Sequence, residues 1–298
     1  MTHSTFLERL QSGKLLIADG ATGTNHQLRG LALGDAPEKW LFTAPDKVLG
    51  LHQEFVAAGA DIILTDTFGG TAGRLAHSGL KADVFETNRR AAELARQAAN
   101  GAGTLIAGSV GPTGQLLEPH GEMTHAEAVT AFAEQAHALA AGGVDLIVIE
   151  TQFDLGEATA AIEGVRSATT LPLVCSFSFD MGKRTMMGLK PAQVARELAA
   201  RGVDMIGVNC GRSLSDNLAV VEEIVETGAG LPLWVKPNAG LPRLGSNDIA
   251  IYDVTPEQMG EFAVRAVELG ARVVGGCCGT SPEHLRHIAL CARAAASA

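Results

Sequence analysis

The chain has 298 residues, 46% of them hydrophobic and only 4% aromatic, enough apolar material for one large domain or two small ones. Its net charge of -10 argues against nucleic acid and anionic membrane as partners. No run of about 18 apolar residues occurs, so no membrane span is expected. The N-terminus lacks the basic start and apolar stretch of a secretory leader, so the expected location is cytoplasmic.

Eight short runs of aliphatic and β-branched residues are predicted as strands, in chain order 15–20, 61–68, 104–111, 145–151, 171–179, 204–210, 231–237 and 272–278. Most are nearly continuous in hydrophobicity, as parallel strands covered on both faces should be. Helical stretches separate them. Thr124-His-Ala-Glu127 and Thr255-Pro-Glu-Gln258 are capping boxes, the second with proline at the first helical position, and Ser281-Pro282 opens the last helix in the same way. Eight strand–helix alternations without a linker predict a TIM (β/α)8 barrel, a single domain over residues 1–298. The alternative, a doubly wound open sheet, is usually built on fewer strands.

Four units share a helix-ending glycine followed by a strand: Gly59, Gly143, Gly202 and Gly270. Eight residues on from each stand Thr67, Thr151, Cys210 and Cys278; seven on stand Asp66, Glu150, Asn209 and Cys277. The strands therefore start in register, and their polar residues fall at the carboxyl ends, where a barrel carries its active site. Long connections at 21–45, 112–123 and 238–254 are expected on the same face, to bind or cover substrate.

Five cysteines, two of them adjacent, read in a cytosolic chain as metal ligands or reactive thiols before a disulfide framework. Cys210 ends the sixth predicted strand; Cys277 and Cys278 end the eighth. Strand ends about 4.8 Å apart let side chains two strands away converge on one ion, with Zn–S of about 2.3 Å. Adjacent ligands require a distorted strand end, for which Gly275, Gly276 and Gly279 supply the freedom. Three thiolates leave one tetrahedral position open, and an incoming thiol of pKa about 8.5 would ionise on binding there. Cys175, in mid-strand, and Cys291, in the last helix, read as core residues. His284 and His287 read as a solvated helix face. No HExxH, GxSxG or P-loop motif is present. The segment Asp19-Gly20-Ala21-Thr22-Gly23-Thr24 offers a carboxylate for an ammonium group and backbone amides for a carboxylate. With Glu150 at the same mouth it suits an α-amino acid substrate; taken alone, it reads first as a βα turn with a helix cap.

In order along residues 15–288, the motifs ADGATGT, TDTFGG, GSVGPTG, IET, GVNC, VKPNAG and GGCCGTSPEHL resemble those of the homocysteine S-methyltransferase family. The resemblance implies Zn²⁺ on Cys210, Cys277 and Cys278, homocysteine as methyl acceptor and methionine as product. It implies that Asp19 and Glu150 bind the amino group, that the backbone at Gly20 and Ala21, with Thr67, holds the carboxylate, and that Asn209 braces the strand-six ligand. GPTGQLLEP and VKPNAGLP look most like the homocysteine module of cobalamin-dependent methionine synthase. A methylcorrinoid on a separate protein is therefore one expected donor; betaine, S-methylmethionine and S-adenosylmethionine are the small-molecule alternatives. One departure is Asp66 where the family has asparagine; the readings are a cationic donor, another thiol or selenol as acceptor, or a substitution that is simply tolerated. A non-enzymatic zinc or thiol-redox protein, sensing oxidation at Cys277 and Cys278, is the third expectation; it gives Asp19 and Glu150 no role.

Overall fold

The computed structural model describes residues 5–80, 83–245 and 250–297. Eight parallel strands pair in chain order: β1 (Leu16–Ile17), β2 (Ile62–Leu64), β3 (Leu105–Val110), β4 (Leu146–Gln152), β5 (Leu173–Phe177), β6 (Met205–Cys210), β7 (Leu233–Pro237) and β10 (Ala271–Val274), which returns to β1. A bridge between Ala18 and Ile62 closes the ring. Between β7 and β10 lies a short antiparallel hairpin, β8 (Arg243–Leu244) with β9 (Ala250–Ile251). The main outer helices are α4 (Pro45–Ala57), α6 (Val84–Ala99), α7 (His125–Ala141), α8 (Leu155–Ala168), α9 (Pro191–Ala200), α10 (Leu214–Glu226), α11 (Pro256–Glu268) and α12 (Pro282–Ala296). Short helices α1 (Phe6–Gln11), α2 (Gly23–Leu28), α3 (Trp40–Thr43) and α5 (Ala72–His77) complete a TIM barrel of one domain.

Strand residues alternate between two cores, as their period of two requires. Leu16, Leu64, Leu105, Ala107, Leu146, Val148, Val174, Met205, Trp234 and Val273 fill the barrel with Phe6 of α1. Their neighbours Ile17, Ile63, Ile106, Ile147, Cys175, Ile206 and Val235 pack under the helices. This double burial is the reason the strands read as unbroken apolar runs. One more step of two along the inward rows brings Ser109, Glu150, Ser176 and Lys236, and on β6, past Gly207, a second step brings Asn209, all buried. The barrel lining thus turns polar at its carboxyl end.

The local signals in the chain are realised. Gly59, Gly143, Gly202 and Gly270 take left-handed φ values of 104, 84, 69 and 98°, which ends the preceding helices and starts the strands in register. Thr124 with Glu127 and Thr255 with Gln258 form both capping boxes. Two expectations need correction. β10 stops at Val274, so Cys277 and Cys278 lie in the loop beyond the strand. His284 is not on a solvated face: Nδ1 accepts the Ser281 amide and Nε2 is 3.0 Å from the Val254 carbonyl, so the ring caps α12 and ties it to the β9–α11 connection. Among the described residues no helix is long and apolar enough to cross a membrane.

Candidate metal centre and substrate cleft

Cys210, Cys277 and Cys278 converge at the carboxyl end of the barrel, with sulfur atoms within 4.8 Å of one another and Cys210 Sγ 3.2 Å from Cys277 Sγ. The Pro237-Asn238-Ala239 segment stitches the end of β6 to the loop that carries Cys277 and Cys278. Asn238 N–H donates to the Cys210 carbonyl (3.1 Å), and its Oδ1 accepts the Cys278 amide (3.0 Å). Cys277 N–H donates to the Pro237 carbonyl (2.7 Å), and Ala239 N–H to that of Cys278 (2.9 Å). Cys210 itself is held in the left-handed region at φ 59°, as is Thr151 at φ 60°, a conformation that a non-glycine residue keeps only when its surroundings impose it. Asn209 is one such restraint. Its Oδ1 accepts from Thr151 N (3.0 Å), and its Nδ2 donates to Thr151 Oγ1 (2.7 Å) and lies 3.4 Å from Cys210 Sγ. The glycines of the β10–α12 loop serve close approach more than torsional freedom. A side chain at Gly275 would meet the Ala18 and Asp19 carbonyls at 2.6 and 2.9 Å. Only Gly279 has positive φ (82°), with the Tyr252 ring packed where its side chain would be.

The donor set fits a soft divalent metal. Hydrogen bonds from Cys210 and Cys277 pull the Cys278 thiol well below its ordinary pKa, so the cluster sheds one proton readily. Further ionisation is opposed. The Cys277 hydrogen bond pushes Cys210 up, and Cys277, despite its bond to Cys210, is pushed up to about 12 by Cys278 and by burial. Three thiolates this close need a cation among them, which is the condition a tetrahedral thiolate site meets.

The cluster floors one end of a cleft of about 580 Å³, also lined by Gly20, Ala21, Thr65, Asp66, Ser109, Glu150, Thr151 and Lys236. Glu150 is raised to about 7 by burial, against the charge of Lys236, and accepts a hydrogen bond from Ser109 Oγ. Other residues expected at the substrate are placed differently. Asp19 is wholly buried and does not line the cleft. Its Oδ1 binds Lys236 Nζ (2.7 Å), and its Oδ2 accepts the Leu64 amide (2.8 Å). The Ala21 amide is spent on Thr280, 3.1 Å from its Oγ1. Thr67 is buried behind the wall, donating to the Ser109 carbonyl at 2.7 Å. Lys236, Asn238 and Tyr252 went unassigned in the sequence, although the VKPNAG run that carries the first two is one of its motifs.

Residues 16–292 match the homocysteine S-methyltransferase family. The chain belongs to this family. It is 31% identical to methionine synthase of Mycobacterium tuberculosis (strain ATCC 25618 / H37Rv), an alignment that covers 96% of this chain and 25% of that protein. The chain thus spans about a quarter of the length of the curated relatives it matches. In structure it resembles the homocysteine methyltransferase MmuM from Escherichia coli in its metallated form, with a TM-score of 0.79 and 26% identity over 94% of this chain and 97% of that one. The oxidized form of the same protein gives a TM-score of 0.79 at 25% identity.

Asp66 has a dedicated partner. Its Oδ2 lies 2.9 Å from His26 Nε2, both side chains are buried, and Trp40 packs on the imidazole at a centroid distance of 5.0 Å. Nearby Glu38 is raised to about 7 by burial and by the Asp66 charge, although it accepts the Gly69 amide. With an ordinary value of 4.5 in the unfolded chain, Glu38 keeps its proton on folding. Its contribution to stability is therefore present below about pH 4.5 and is lost as pH rises through 7. Glu38→Gln is expected to unfold with wild type at low pH and to become roughly 3 kcal/mol more stable by pH 8. Urea unfolding at several pH values measures this, and a constant difference would contradict it.

Proposed function

We propose that the chain, as one domain over residues 1–298, is a zinc-dependent homocysteine S-methyltransferase that forms methionine. The observation that carries this reading is the convergence of three thiols on a cleft whose inner wall also presents a carboxyl group and an ammonium group. Cys210, Cys277 and Cys278 would hold Zn²⁺. When bound, the metal supplies Lewis acidity that keeps an acceptor thiol ionised at neutral pH.

The protein's own groups position the acceptor. Glu150 takes its α-ammonium, and binding that cation favours the ionised carboxylate that burial opposes. Asp19 does not touch the acceptor; it neutralises Lys236. Ser109 orients the Glu150 carboxyl through their hydrogen bond. Gly20 lets its loop pack closely on Phe55 and Thr280, which a side chain there would meet at 2.8 Å. The acceptor sulfur then attacks the donor methyl carbon in line, and the bond to the leaving group breaks with its electron pair. The thiol proton has already gone, so no general base is needed at the methyl group and positioning supplies much of the rate.

The donor comes through the open side of the cleft, and we assign it to a methylcorrinoid carried on a separate protein. The VKPNAGLP likeness supports this. The His26 partner of Asp66 supports the family's own reaction over a change of acceptor, because that carboxylate already has its counter-group. A cluster of metal-ligand thiols suits a reducing compartment, which supports a cytoplasmic location. The test is to incubate zinc-loaded protein with homocysteine and, in separate reactions, methylcobalamin, betaine, S-methylmethionine or S-adenosylmethionine, with bound zinc measured alongside. Methionine from methylcobalamin is the expected result. Methionine only from a small donor would overturn the corrinoid assignment, and none from any donor would overturn the reading.

A further inference from the structure

The acceptor subsite contains a cation that the reading above leaves without a substrate. Lys236 sits in register with Asn209 on the neighbouring strand, one residue before Cys210, and lines the same cleft as the three thiols. It is buried, yet it stays charged, because the charges of Asp19 and Glu150 outweigh the effect of burial. An ammonium group carries three N–H donors. One goes to Asp19 at 2.7 Å, and no other described residue accepts a second. Asp19 in turn is consumed by Lys236 and by the Leu64 amide. Of the buried carboxyls that line the cleft, Asp66 faces His26 and Glu38 accepts the Gly69 amide, which leaves Glu150 beside one buried ammonium with donors to spare. A zwitterion matches that pair, and Ala21 N–H, one of the two backbone donors expected for its carboxylate, is already bound to Thr280.

We propose that Lys236 is the specificity-determining anchor for the acceptor's carboxylate, so that the site selects thiols bearing a carboxylate, with Glu150 receiving the ammonium when one is present. This rests on the homocysteine reading and refines it. The Asp19 pairing fixes the Lys236 side chain in advance, so little rotamer entropy is lost when the carboxylate arrives. Arg74, the cleft's other lysine or arginine, lies against Phe68 and Gly114 and belongs to the outer wall.

The test uses isothermal titration calorimetry on zinc-loaded protein, which needs no methyl donor. Three probes separate the charges: L-homocysteine, 4-mercaptobutyrate, which lacks the amino group, and 3-mercaptopropylamine, which lacks the carboxylate. Lys236→Met is expected to weaken both carboxylate thiols by about 10- to 100-fold and to leave the amine unchanged or tighter. Lys236→Arg should keep most of the affinity. Should Lys236→Met prove too unstable, the Asp19→Asn/Lys236→Met double variant, which removes both buried charges, carries the same expectation. Equal weakening of all three probes, or none for the two carboxylates, overturns the proposal while leaving the homocysteine reading intact. Lys236-dependent binding of 4-mercaptobutyrate without binding of homocysteine sustains the proposal and sinks homocysteine as the acceptor. If neither carboxylate thiol binds wild type, both fall.

Discussion

Cys210→Ser, Cys277→Ser and Cys278→Ser are each expected to lose bound zinc and to lower methyl transfer to homocysteine by about 10³-fold or more. Two effects combine. A free thiol of pKa about 8.5 is only about 3% ionised at pH 7, so losing metal activation alone removes roughly 30-fold. The rest is positioning, because the acceptor sulfur is no longer held in line with the methyl group. The first effect leaves a signature: the variants' residual rate should climb with pH toward about 8.5, where the wild-type rate is already level. Metal analysis and kinetics between about pH 6 and 9 measure both. Cys291→Ala, on α12 and outside the cluster, should retain its zinc. A serine variant with full zinc and full rate would remove that cysteine from the centre.

Asp19→Asn is expected to lower the stability of the metal-free protein by about 3–5 kcal/mol, because it leaves Lys236 charged and unpaired inside the barrel. For a domain of this size that corresponds to a fall in Tm of roughly 10 °C. Asp19→Asn/Lys236→Met should recover most of the loss, since replacing a whole buried pair costs far less than breaking it. Thermal unfolding of both variants beside the wild type decides the matter. If Asp19 instead bound the acceptor directly, Asp19→Asn would weaken homocysteine binding with Tm unchanged.

Much of the site could be read along the chain, for a local reason. Left-handed glycines end four helices and set the strand starts, so counting from Gly202 finds Cys210 at the end of β6 and counting from Gly143 finds Glu150 near the end of β4. Counting from Gly270 also reaches Cys278, but by another route. The strand ends four residues earlier, and Gly275 and Gly276 carry the chain close past Ala18, Asp19 and Thr280 before the two thiols turn toward Cys210. The contact of His284 is not legible along its helix, because the Val254 carbonyl belongs to the preceding connection.

The roles of the charged residues followed from barrel closure. Asp19 and Lys236 are 217 residues apart, and His26 and Asp66 are 40 apart. No local period relates the members of either pair. Helix and strand formation depends on neighbours within a few residues, so the strand–helix alternation, the caps and the depth of the polar ring were decided by nearby sequence. Pairing a buried charge depends on which side chains the closed ring brings within about 3 Å. That decided that Asp19 serves Lys236, that Asp66 has His26, and that Glu150 and Lys236 share the cleft wall with the thiols.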